Sequence, residues 1–563
     1  MESTSLRSSV ALFSVLLVAV LVTGAVAGPV RAEPTLGASS APATASSDST
    51  LAPAAGSIAT TNAATVQEQT DRPENPTTSG TVGYVSGYWY DDPLPVDNQS
   101  NAVVDDGELA PVVYRSMARV ELIRNMTFEK KVSVDVVSRA AYRRNNDGRF
   151  ANLTAAERLE QNVAYEALFM VGRETAASNA TESLYGGAVS GYYDPKTDEI
   201  VIVSENPETP ELDEVTLAHE LVHALQDQHY NLSALEGTTQ DRELAKNGLV
   251  EGDAKRVELE YESYCSHIWN CLEPSSANRG LPPEINWGIY FTIYQPYSDG
   301  PDYVNHLRYQ GPGWSAVNAA YDDPPTTTSA VIHPGSEREP ANVSVPDRSS
   351  GDWRQLTVDG EPASDTVGEA GMVAMFTADA FGSSRDAVIN DSEFLADNRG
   401  YQYNHAVTNG WAGDKLVVYT NDDAVNASTP AAAGEAGYVW RTQWQSKTDA
   451  EQFVDGYLHL LESHNAEPVD GQRNTFRISD GGYAGAYAIE QNGTTATIVR
   501  APSVGELSNV EAGTAPDGED TIELDGSDGS DGIPEFGPLV AVGVIAIALL
   551  GTATRIALDM SRA

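Results

Sequence analysis

"TLAHELVHALQDQHY", residues 216–230, places His219 and His223 four positions apart with Glu220 directly after the first. Residues four apart on a helix share one face, so both imidazoles can reach a single ion. Glu220 lies beside that face, within reach of a water on the ion, and can act there as general base. The flanks are those of a buried helix: Leu217, Leu221, Val222 and Leu225 are apolar, and Ala218 and Ala224 are small. Zinc binds imidazole nitrogens at ~2.0–2.1 Å, and a catalytic site uses three protein ligands plus one water. The stretch therefore calls for a third ligand.

"AKNGLVEGDAKRVELEYESY", residues 245–264, offers Glu251 on the next helix. Leu249 and Val250 before it and Gly252 and Ala254 after it favour a ligand over a solvated acid. Gly252 is expected to let this helix pack closely against the first. Asp227 and Asp253 are candidates to orient the histidines from behind. His229, six positions after His223, faces elsewhere and reads as structural. An oxyanion-stabilising group is also needed, and His333, Tyr261, Tyr264 and Tyr294 are the candidates.

Composition limits the partners. Among 563 residues, 81 Asp and Glu face 34 Lys and Arg, a net charge of −47. That surface repels nucleic acid and anionic lipid, which argues against both as partners. The acids are dispersed, a pattern that fits solvation in concentrated salt and looks like a protein of a halophilic archaeon. The hydrophobic fraction of 41% is enough for a packed interior. Cys265 and Cys271 are too few to scaffold the fold; the spacing allows one local bridge or two free thiols.

The ends read as targeting and tethering segments. Residues 1–27 carry Arg7, an apolar run and Ala25-Val26-Ala27, which predicts a signal peptide, with an uncleaved anchor as the alternative. Residues 28–81, rich in Ser, Ala, Thr and Pro, predict a disordered stalk, and 503–535 an acidic disordered spacer. Residues 536–554 are uncharged and close to the ~20 needed to span a bilayer. Arg555 and Arg562 behind them place the bulk of the chain outside the cell. Asn-x-Ser/Thr sequons recur from Asn98 to Asn492, as in a surface glycoprotein.

Between the ends an α+β fold is expected. Residues 82–350 read as one domain containing the two metal-site helices (213–232 and 241–266) and a hairpin, "GAVSGYYDPKTDEIVIVSE". "KKVSVDVVSRAAY" alternates like a strand, Thr154 is placed to cap a helix, and 267–350, rich in Tyr, Trp, Pro and Gly, reads as irregular. Residues 351–502 read as an α+β subdomain, with strands at "DKLVVYT" and "AGYVWRTQW", a helix at "KTDAEQFVDGYLHLLESH" and an Asn-Gly hairpin after it.

These motifs together carry a resemblance. "HELVHALQDQHYNL", "LVEGDA" and the preceding "GYYDP…IVIV" resemble the gluzincin branch of zinc metallopeptidases, and within it a group of predicted secreted bacterial and archaeal enzymes. "TTTSAVIHP", "GWAGDKLVVY" and "VWRTQWQSKTDAEQF" are similar to that group as well, so the likeness covers most of residues 185–460. It implies a zincin-like domain, Zn2+ held by His219, His223 and Glu251, and Glu220 as the base. It also implies a peptide or protein substrate added along strand 198–204 as the sheet edge above the cleft. "HELVHALQDQH" lacks the Gly turn and third histidine of the metzincins. The alternative function is a non-catalytic surface glycoprotein on the same scaffold, for which an intact Glu220 has no use; a metallohydrolase of non-peptide bonds is a third.

Overall fold

The computed structural model describes residues 72–522 except 147–152, 236, 275–284, 337, 396–399, 422–423 and 425–433, together with 17–18 and 524. The expected signal peptide and transmembrane segment lie essentially outside these. No helix among the described residues is long and apolar enough to cross a membrane.

The fold is α+β, with two larger sheets and two two-stranded ones among the described residues. Strand β1 (Ser133–Ser138), β2 (Gly191–Asp194) and β3 (Glu199–Ser204) form the first. β3 runs parallel to β1 and antiparallel to β2, so it is central. The expected edge at 198–204 is therefore interior: the sheet ends at β1 on one side and, on the other, at the two-residue strand Leu17–Val18, which pairs antiparallel with the outer side of β2. β1 also stops at Ser138, and Arg139–Asn146 turn into a helix rather than extending the strand.

Helix α1 (Asp106–Arg124) begins at a capping box, Asp105 accepting from the Glu108 amide while Glu108 reaches back. It lies against the first sheet's helices and carries three buried arginines. Arg115 pairs with Asp97, Arg119 with Glu214, and Arg124 with Asp253. Helix α2 (Ala155–Ala167) starts at Thr154, the expected cap. α3 (Glu214–Tyr230) and α4 (Gln240–His267) are the two helices that carry the expected ligands, within three residues of the expected bounds. Cys265 and Cys271 at the end of α4 are bridged.

The sequence expectation fails at 267–350. Residues 287–310 form a 24-residue helix, α5 (Trp287–Gln310), despite Pro296 and Pro301 inside it. α6 (Thr328–Ile332) follows. Internal prolines remove helix hydrogen bonds and normally end a helix. Here packing outweighs them, because Ile289, Tyr290, Phe291 and Val304 are buried in two cores.

The second sheet has the order β4 (Ser364–Asp365), β5 (Trp411–Thr420), β6 (Gly437–Trp444), β10 (Thr495–Ala501), β9 (Gly485–Asn492), β8 (Thr475–Ile478) and β7 (Ala466–Pro468), all antiparallel. The β9–β10 turn is the expected Asn492-Gly493, with Gly493 at φ 62°. Helices α7 (Gly368–Thr377) and α8 (Lys447–Ser463) join this unit. So does α9 (Val504–Val510), which buries Leu507 and Val510 where the acidic spacer was expected to begin. Arg72 likewise pairs with Asp91 at the end of the expected stalk. One apolar cluster runs through both halves of the chain, joining Val163, Phe169 and Phe291 to Val367, Phe376 and Tyr438.

Candidate metal centre

α3 is held at its start by Asp213, which caps the Val215 and Thr216 amides, and by Glu214, buried among Arg119, Ser116 and Tyr261. Its apolar residues leave His219, Glu220 and His223 as a polar stripe inside the protein, none more than 1% exposed. α4 crosses beside it and supplies Glu251, 3% exposed. One ligand atom from each of His219, His223 and Glu251 lies within 4.8 Å of the others. Glu251 Oε2 is 3.2 Å from His219 Nε2 and 3.3 Å from His223 Nε2.

The other ring nitrogens are engaged elsewhere. His219 Nδ1 lies 2.9 Å from Glu258 Oε2, and Lys255 holds the other oxygen of Glu258 at 2.6 Å. His223 Nδ1 lies 2.9 Å from Gln226 Oε1. The Gln226 amide donates to the Val250 carbonyl, which fixes its oxygen toward the ring. Both Nδ1 atoms are therefore the donors, and both Nε2 lone pairs converge on one point with the Glu251 carboxylate. Beyond that 3.3 Å contact with Glu251, His223 Nε2 has no hydrogen-bond partner among the described residues, and neither buried oxygen of Glu220 makes a well-formed hydrogen bond. Orphaned polar atoms inside a protein are costly, so this arrangement fits a cation and its water between them.

The electrostatics agree. Burial pushes the Glu251 carboxyl up, but the two imidazoles outweigh it and bring it down to about 2. Burial opposes charge on His219, yet Glu251 and Glu258 raise it to about 10. Burial raises Glu220 to about 7, which suits a group that takes and returns a proton near neutrality.

The expected orienting residues are not the ones used. Asp227 accepts from the Tyr193 hydroxyl and the Leu232 amide, and Asp253 is committed to Arg124 and Tyr321. Gln226 and Glu258 do that work instead, and the sequence held a signal for both. Gln226 is three after His223, and Glu258 is two turns after Glu251 on the same face.

The oxyanion candidates are also placed elsewhere. His333 bonds to Glu369, Tyr261 to Glu214, and Tyr264 stacks on Trp269. Tyr294 is one ring removed: it touches Tyr297, which stacks over His219 with centroids 6.1 Å apart. Tyr297 lies in the stretch expected to be irregular. His229, read as structural, bonds the Thr127 carbonyl.

Gly252 packs not against α3 but against α5. A Cβ there would lie 2.4 Å from the Gly300 carbonyl, and one on Gly300 would lie 2.5 Å from the Gly248 carbonyl. This backbone contact sits beside the Glu251 position and brings Tyr297 to the site.

Residues 354–511 match the model of one family, a Domain of unknown function (DUF8575). The match covers the second-sheet unit and leaves the metal centre outside it. No curated protein and no solved structure matches the chain.

Proposed function

We propose that this protein is a zinc-dependent metallopeptidase of zincin-like fold, with His219, His223 and Glu251 as the metal ligands and Glu220 as the general base. The observation that carries the reading is the convergence of three ligand atoms within 4.8 Å beside a buried Glu220 carboxylate that makes no well-formed hydrogen bond among the described residues. Zinc held by this donor set supplies a Lewis acid and lowers the pKa of its water to ~7.

The rest is done by the chain. Glu220 takes one proton from the water as its oxygen bonds to the substrate carbonyl carbon. It returns that proton to the amide nitrogen as the C–N bond breaks. Glu258 and Gln226 hold the two rings against rotation throughout. The outer edge of β2 suits an extended peptide, since it already accepts an antiparallel strand in Leu17–Val18. The export signal, sequons and terminal apolar stretch of the sequence support a cell-surface, membrane-anchored location. The Cys265–Cys271 bridge fits an oxidising compartment.

The test is metal content and peptide hydrolysis of the protein in high salt, wild type against Glu220→Gln. One zinc per chain in both is expected, with hydrolysis reduced by a factor of about 10²–10⁴ in the variant. Zinc in both with no hydrolysis in wild type supports the non-catalytic alternative. No metal in either refutes the site.

A further inference from the structure

The helix that carries Glu251 is capped by another part of the chain. The first amides of any helix lack partners within it and must be satisfied from outside. At α4, the Thr239 hydroxyl takes only the Arg242 amide. The Gln240 amide donates instead to Asp365 Oδ1 at 2.8 Å, and the Asp241 amide to the Thr366 carbonyl at 3.1 Å. Both acceptors belong to the second-sheet unit, inside the segment matched by the family of unknown function.

The turn that presents them is itself fixed. Asp414 on β5 accepts the Val367 and Gly368 amides at 2.9 and 3.0 Å and the indole N–H groups of Trp411 and Trp440, each at 3.0 Å. Gly368 has φ +75° and no room for a side chain, since a Cβ there would lie 1.9 Å from Asp241 Oδ1. That oxygen also accepts the Thr328 amide and hydroxyl at the start of α6, and the Thr328 hydroxyl accepts the Ala370 amide at the start of α7. His333 and Glu369, at 2.9 Å, tie the other end of α6 to α7. Asp241 and Asp414 are buried, and an unbroken series of hydrogen bonds joins β5 and β6 to the start of α4.

We infer that the second-sheet unit, including residues 354–511, is the N-terminal cap of the Glu251 helix and sets the position of the third metal ligand. Asp365, Gly368 and Asp414 are then positioning residues for the metal centre, and this family segment completes that centre instead of being an independent binding module. The inference rests on the metal reading proposed above.

The test uses the full chain in high salt and the metal alone as probe. Zn2+ affinity is read by chelator competition, the ligand field by the visible spectrum of Co2+, and the fold by the thermal midpoint. Gly368→Ala and Asp365→Leu are expected to weaken Zn2+ binding by roughly 10–100-fold and to alter the Co2+ spectrum. Asp365→Asn keeps an oxygen that accepts the Gln240 amide and is expected to restore both. Ser446→Ala removes the cap of α8, remote from the site, and serves as the stability control. It should lower the midpoint while leaving Zn2+ affinity and the Co2+ spectrum unchanged.

Should Gly368→Ala fail to fold, the Asp365 pair decides. Unchanged affinity and spectrum in Asp365→Leu overturn the inference and leave the metal site standing, as does an equal loss of affinity in Ser446→Ala. A wild-type chain without metal overturns both. A wild-type chain that binds metal without hydrolysing peptides removes the peptidase reading alone, and the affinities still decide the inference.

Discussion

Glu251 and Asp253 stand two positions apart on α4, both buried, in a chain with acids throughout. One faces His219 and His223 (Oε2 to Nε2 3.2 and 3.3 Å), and the other faces Arg124 and the Tyr321 hydroxyl. Two helix positions are 200° of rotation, so neighbouring carboxylates serve opposite sides. One side of α4 faces the two histidines and the other holds the fold together. A carboxylate's role here follows from the direction it points.

The contrast is breakable by mutation. Asp253→Ala leaves Arg124 charged and buried, a change that costs about 3–5 kcal/mol. It should lower the denaturation midpoint sharply, and metal stoichiometry in the folded fraction should remain that of wild type. Glu251→Ala should lose metal outright; it also removes the carboxylate that pairs with His219 and His223 in the metal-free protein, so its midpoint should fall as well. If both variants lose metal equally, the two sides of α4 are not separable.

A smaller change sharpens the site side. Glu258→Gln removes the carboxylate behind His219 and should weaken metal binding by roughly 10–100-fold, measured by chelator competition. Gly300→Ala tests the opposite packing. Its Cβ would meet the Gly248 carbonyl at 2.5 Å, and overpacking of that kind costs about 1–3 kcal/mol. Calorimetry should show that loss, and Tyr297 should shift away from His219.

The smallest effect is in protons. In the metal-free protein His219 is raised to about 10, so it is charged at pH 7, whereas a ligand imidazole must be neutral. Zinc binding at pH 7 should therefore release about one proton per site, falling toward none above pH 10. Buffers of different ionisation heat would report it, and zero release at pH 7 would show that Glu251 does not hold a proton on His219 Nε2 in the metal-free protein.

The convergence of the candidate ligands was more legible than its support. His219, Glu220 and His223 fall on one stripe because a helix period can be counted, and Glu251 stands out as an acid among apolar neighbours. Glu258 stands seven positions after Glu251 on the same face, but Asp253 is the nearer acid and the more conspicuous one. α5 was illegible for a different reason. Pro296, Gly300 and Pro301 are breakers in isolation, and only the close approach of Gly252 and the burial of Phe291 make a helix the better state. The capping of α4 by Asp365 joins residues 125 positions apart, which no local pattern encodes.

Arg115, Arg119 and Arg124 have one more consequence. With Arg500, they withdraw four of the chain's 34 basic residues into the interior. Thirteen Asp and Glu are buried as well, so the outer shell, though strongly acidic, is less lopsided than the total of −47 suggests. Counterions in solution quench the repulsion across that shell but barely reach the sealed arginine pairs. Dilution of the medium should thus strain the protein from its skin inward, with the α1 pairs and the metal helices they brace the last to give way.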